Sequence, residues 1–87
     1  MSWIVRFKAS SKKELSKLDR SASMQIISFL EKLSAQSYPR QNGKVLKGKL
    51  REYWRYRVGD YRIICKIQDS ELVVLILRIA HRKDVYE

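Results

Sequence analysis

Apolar and polar positions follow two rhythms along this chain, one of period two and one of period three to four. Trp3-Ile4-Val5-Arg6-Phe7 is a short aromatic and β-branched run, which predicts a first strand. Ser11-Lys12-Lys13-Glu14 then fits a capping box, with Ser11 accepting from the backbone N–H near Glu14 and the Glu14 side chain reaching back, so a helix is expected to start there. Leu15 and Leu18 share one face of that helix. After a break near Arg20, Asp19 or Ser21 caps a second helix, in which Ile26, Ile27, Leu30 and Leu33 make one buried stripe.

From Ser37 to Lys49 the pattern breaks around Pro39, Asn42, Gly43 and Gly48, which predicts a long loop. Trp54-Arg55-Tyr56-Arg57-Val58 alternates strictly, Gly59-Asp60 makes a two-residue turn, and Tyr61 to Ile67 resumes as strand, so the two runs form a hairpin. Past the turn Gln68-Asp69-Ser70-Glu71, Leu72 to Ala80 is nearly all Leu, Val and Ile, as suits a central strand with neighbours on both edges. His81 to Glu87 is a polar tail. The order β-α-α-β-β-β predicts one α+β domain over residues 1–87, a mostly antiparallel four-stranded sheet with both helices on one face and the other face open.

Composition narrows the possibilities. A hydrophobic share of 45% over 87 residues is that of a small folded domain and too high for a disordered chain. Cys65, the single cysteine, has no partner for an internal disulfide, and no charged segment followed by an apolar one opens the chain at Met1-Ser2-Trp3. The longest apolar run, Leu72 to Leu77, is far short of a membrane span, so a soluble cytoplasmic protein is expected. The formal charge of +10, from 19 Lys plus Arg against 9 Asp plus Glu, calls for a polyanionic partner, nucleic acid first. Between Arg40 and Lys66 nine basic residues face only Glu52 and Asp60, which concentrates the charge where the sheet begins.

That concentration has a geometry. Residues two apart on a strand share a face, so Arg55 and Arg57 point together, while Trp54, Tyr56 and Val58 point to the core. A two-residue turn sets Val58 opposite Tyr61 and Arg57 opposite Arg62, which brings Arg55, Arg57 and Arg62 onto one face with Lys66 farther along. Like charges across a ladder repel, so an anion is expected between them. Arginine suits phosphate because its planar fork donates two parallel hydrogen bonds; a merely solvated face would as readily use lysine and intersperse glutamate. His81 is the only histidine and stands beside Arg82, Lys83 and Tyr86. One histidine and one cysteine make no zinc site, and neither a Gly-rich phosphate loop nor a nucleophile elbow is present, so no metal and no cofactor are expected.

Lys44-Val45-Leu46-Lys47-Gly48, Trp54 through Ile64, and His81-Arg82-Lys83-Asp84-Val85-Tyr86 together resemble the successive motifs of RelE-family toxins in the RelE/ParE superfamily. The resemblance covers almost the whole chain, although this sequence stops one residue after Tyr86 where the family often continues. It implies a ribosome-dependent endoribonuclease, neutralised by a cognate antitoxin, in which a messenger 2′-OH attacks the adjacent phosphate in the decoding site without a metal. On that resemblance Arg62 contacts the scissile phosphate, and Arg57 and Arg82 stabilise charge. His81, placed slightly ahead, or Tyr86 moves protons. Lys44, Lys47, Lys49, Arg51, Arg55, Lys66 and Lys83 hold ribosomal RNA or messenger. Two other readings stand beside it: a ParE-like toxin that binds DNA gyrase, and a non-catalytic basic RNA-binding module. Retention of both His81 and Tyr86 beside Arg62 and Arg82 favours the nuclease. Trp54, Tyr56 and Tyr61 turn to the core instead of offering bases a stacking platform, which counts against simple RNA binding.

Overall fold

The computed structural model describes residues 3–36, 38–46 and 53–84. Strand β1 (Ile4–Phe7) leads to helices α1 (Ala9–Ser16) and α2 (Arg20–Ser34), then come β2 (Gly43–Val45), β3 (Trp54–Val58), β4 (Tyr61–Gln68) and β5 (Val73–His81). Single turns of 3-10 helix lie at Pro39–Asn42, Asp69–Glu71 and Arg82–Asp84. The sheet order is β1-β5-β4-β3-β2, antiparallel except where β1 lies parallel to β5. The class is the α+β one expected, with five strands in place of four. The added β2 pairs Gly43, Lys44 and Val45 with Tyr56, Arg55 and Trp54, and three residues are too few to show a period of two. Gly43 is required there, since a Cβ would overlap the Trp54 ring and stand 2.6 Å from the Arg55 carbonyl oxygen.

The expected capping box at Ser11 is a different device. Helix α1 begins at Ala9, behind Lys8, and Ser11 is buried inside it. Because β1 ends at Phe7, opposite Ile76, the outer edge of β5 beyond that point has no strand beside it among the described residues. Helix α1 covers this edge: Ser11 Oγ lies 2.8 Å from both the Lys8 and Ile76 carbonyl oxygens, and Glu14 Oε1 accepts from the Ile79 N–H at 2.9 Å. The serine and glutamate satisfy the strand edge instead of a helix end. In α2, Asp19 does cap, its Oδ1 accepting from the Ala22 N–H at 2.8 Å. Ile26, Leu30 and Leu33 are buried as expected, but Ile27 is 45% exposed.

The β3–β4 hairpin has the expected register, Val58 opposite Tyr61 and Arg57 opposite Arg62, and Gly59 at φ 57° supplies the left-handed backbone such a turn needs. Strand β5 is interior, as expected, but it is not regular. Cys65 pairs with Ile76 and Ile64 with Arg78, which leaves Leu77 as an extra residue, a β-bulge. Core-facing positions on β5 therefore run Val74, Ile76, Ile79, with a step of three at the bulge. The same core takes Tyr56, Ile63, Cys65 and Ile67 from the hairpin and Ile26, Leu30 and Leu33 from α2. Tyr56 reaches through it, its hydroxyl donating to the Pro39 carbonyl at 2.7 Å and its ring tilted on Phe29 at 5.3 Å, so the loop before β2 is moored to the core.

Candidate functional site

The sheet face turned away from the helices carries Lys44, Arg55, Arg57, Arg62 and Lys66 on three adjacent strands. Two pairs stand directly opposite each other with like charge, Lys44 with Arg55 and Arg57 with Arg62. Such pairs are destabilising in a sheet. Two members are also buried, Arg55 at 8% and Arg62 at 7% exposure, a costly placement for a charged side chain. Arg62 Nη1 donates to the Tyr61 carbonyl at 3.0 Å and the Gly59 carbonyl at 3.3 Å, and its Nε is buried with no hydrogen-bond partner among the described residues. Burial, then Arg57, Arg55 and Arg82, hold Arg62 below the usual guanidinium range, and Asp60 alone pulls the other way. Arg55 is lowered too, by burial and by Arg57. Gln41, Gly43, Lys44, Arg55 and Arg57 line a cleft of about 290 Å³ beside this row.

Arg82 joins from the end of β5. Its N–H donates to the Asp60 carbonyl at 2.7 Å, and its Nε lies 3.9 Å from Asp60 Oδ1. His81 is one residue earlier and on the other side of the sheet. It pairs with Tyr61, whose ring it meets edge-on at 5.6 Å, whereas Arg62 pairs with Ala80. His81 Nδ1 accepts from the Lys83 N–H at 3.3 Å, and the ring lines a polar cleft of about 420 Å³ with Asp19, Ser21, Gln25 and Asp60. The structure thus gathers Arg55, Arg57, Arg62 and Lys44, sets Arg82 at their margin, and turns His81 toward α2. Lys66 and Lys83 are exposed, and Tyr86, Lys47, Lys49 and Arg51 lie outside the described residues.

Asp60 and Gln41 are additions that sequence reasoning did not single out. Asp60 reads as a turn former from sequence, and only the β4–β5 pairing shows that the same residue meets Arg82. Gln41 sits in a loop with no periodic signal. Among the described residues no three His, Cys, Asp or Glu side chains converge; the converging groups are cations, which bind anions.

The family described as the ParE toxin of the type II toxin–antitoxin system parDE matches residues 5–86. Toxin RelG of Mycobacterium tuberculosis is 33% identical over 87 residues, which is 99% of this chain and 98% of that protein. The toxin–antitoxin complex RelBE2 of the same organism contains a chain that superposes with a TM-score of 0.85 at 31% identity, over 94% of this chain and 100% of that one. An archaeal RelE–RelB complex from Pyrococcus horikoshii superposes at 0.75 with 25% identity, over 98% and 100%. With the match running from β1 past the end of β5 and the relatives covered from end to end, the chain belongs to the RelE/ParE superfamily and is a toxin of a type II toxin–antitoxin system.

Proposed function

We propose that this toxin is a ribosome-dependent endoribonuclease that cuts messenger RNA in the decoding site and so stops translation. The observation that carries the reading is Arg62, a buried cation with an unpartnered Nε, surrounded by Arg55, Arg57 and Arg82 and repelled by all three. A phosphate satisfies every one of these groups at once. Cleavage proceeds by attack of a 2′-oxygen on the adjacent phosphorus. The 2′-OH gives up its proton, the P–O5′ bond breaks, and the leaving 5′-oxygen is protonated, which yields a 2′,3′-cyclic phosphate and a 5′-OH. Arg62 holds the reacting phosphate, with Arg57 and Arg82 as further cations around the developing phosphorane dianion, where preorganised donors lower a barrier most. Charge stabilisation by three arginines suits a route without a metal. Arg55, Lys44, Lys66 and Lys83, with Lys47, Lys49 and Arg51, hold RNA backbone through charge.

Proton transfer falls to His81 or Tyr86. With His81 on the α2 side of the sheet, the arginine face draws the assignment toward Tyr86. The cellular setting is the cytoplasm; no helix among the described residues is long and apolar enough to cross a membrane. Solved relatives are bound to RelB antitoxins, and an antitoxin of that kind is the proposed partner here. A gyrase-binding toxin is the second reading, favoured by the ParE description of the matching family and by the separation of His81 from Arg62.

The deciding experiment adds the purified toxin, or its Arg62→Ala variant, to translating ribosomes and maps messenger ends by primer extension, with naked RNA as control. Cuts within the decoding-site codon that vanish in the variant and on naked RNA are expected. Uncut messenger together with growth arrest on expression would transfer the assignment to gyrase.

A further inference from the structure

Three successive carbonyl oxygens of one turn are all occupied by arginine. The Gly59 and Tyr61 carbonyls accept from Arg62 Nη1 at 3.3 and 3.0 Å, and the Asp60 carbonyl accepts from the Arg82 N–H at 2.7 Å. The two arginines come from different elements, Arg62 from β4 and Arg82 from the turn after β5, and repel each other. Nothing in the sheet ladder alone would keep the Arg82 side chain beside Arg62, because Arg82 lies one residue past the end of β5. Among the described residues the acid acting on this pair is Asp60, whose carboxylate stands 3.9 Å from Arg82 Nε and is itself exposed. An exposed ion pair of this kind contributes little stability, so its presence between two cations of a phosphate site needs another reason.

The geometry points to Asp60 as a positioning residue: the β3–β4 turn is a jig that aligns Arg82 with Arg62 on a single phosphate, its carbonyls holding the Arg62 guanidinium and the Arg82 backbone N–H and its carboxylate aiming the Arg82 guanidinium. The inference rests on the nuclease reading and goes beyond it by naming what sets the mutual geometry of the arginines. Asp60 touches no substrate. Its negative charge beside a phosphate weakens RNA binding, so its alignment of Arg82 and its electrostatic effect on affinity act in opposite directions. That opposition gives a signature no purely structural residue has.

The test compares Asp60→Asn and Asp60→Glu with the unaltered toxin in single-turnover cleavage on programmed ribosomes. Asn keeps the turn and the backbone carbonyl but removes the charge. The expected result is a maximal rate lower by roughly tenfold to a hundredfold, the scale of a misplaced catalytic group. The apparent KM should be equal or smaller, thermal melting unchanged, and most of the rate restored in Asp60→Glu. A maximal rate in Asp60→Asn equal to or above that of the unaltered toxin overturns the inference and leaves the nuclease reading standing. So does a lost rate that tracks a lowered melting temperature in both variants. No cleavage by the unaltered toxin overturns the nuclease reading, and this inference with it.

Discussion

Replacing Arg62 with methionine keeps an apolar stem in the buried site and removes the guanidinium, and the structure says which way stability moves. The unaltered side chain leaves Nε buried and unpartnered, a cost of about 1–3 kcal/mol. It also faces Arg57 directly across the ladder, worth up to ~1 kcal/mol of repulsion. Against this stand two bonds from Nη1 to the Tyr61 and Gly59 carbonyls at 3.0 and 3.3 Å. The shorter contributes about 1.5–3 kcal/mol because its donor is charged, and the longer contributes less. The balance is tipped by desolvation of the cation, which costs several kcal/mol and which methionine does not incur. A net gain of about 1–2 kcal/mol is expected from the relief of that desolvation, alongside complete loss of cleavage. For a domain of this size each kcal/mol raises the melting temperature by roughly 4–8 °C. Urea unfolding of the antitoxin-free protein, followed by circular dichroism, reads the difference. Inorganic phosphate should narrow the gap by stabilising the unaltered protein alone. A variant less stable by 1 kcal/mol or more, in ~0.1 M salt without phosphate, would refute the claim that Arg62 is held at a cost to the fold.

Two further outcomes follow from the core. Tyr56→Phe removes the hydroxyl that donates to the Pro39 carbonyl at 2.7 Å, so a loss of about 0.5–1.5 kcal/mol in urea unfolding is expected; a change below ~0.3 kcal/mol would mean the mooring of the loop is idle. Burial pushes the Cys65 thiol up to about 12, so it should resist thiol reagents at neutral pH until the protein unfolds. The raised folded value also gives a sign: this contribution is complete below the unfolded thiol's pKa of about 8.5 and is lost as pH rises from there toward about 12. An unfolding midpoint that rises over that interval in the wild type relative to Cys65→Ala would contradict it.

The hairpin was legible because two rhythms coincide there: strict alternation from Trp54 to Val58, and a Gly59-Asp60 turn that admits one register. From that register the shared face of Arg55, Arg57 and Arg62 followed without tertiary information. Other features depend on contacts distant in sequence. Ser11 and Glu14 match a capping box by spacing, yet their partners, Ile76 and Ile79, lie on a strand whose position beside α1 no local pattern reveals. The bulge at Leu77 is hidden because Leu72 to Ala80, Arg78 apart, is apolar on both faces and so shows no alternation to interrupt. That one extra residue moves every later side chain of β5 to the opposite face, and it is the reason His81 parts from Arg62.

The parallel pairing of β1 with β5 has a consequence in time. Ile4, made among the first residues, lies opposite Val73, so the first strand has no place in the sheet until nearly the whole fold has been synthesised. Pairings between such distant segments close slowly, because the chain entropy of a long loop must be overcome before the contacts form. The hairpin that presents Arg57 and Arg62 is local and needs no such wait, but Arg82 follows β5. Arg82 can therefore join Arg57 and Arg62 only once β5 has been made and placed, so the arginine face is among the last features of the fold to be completed.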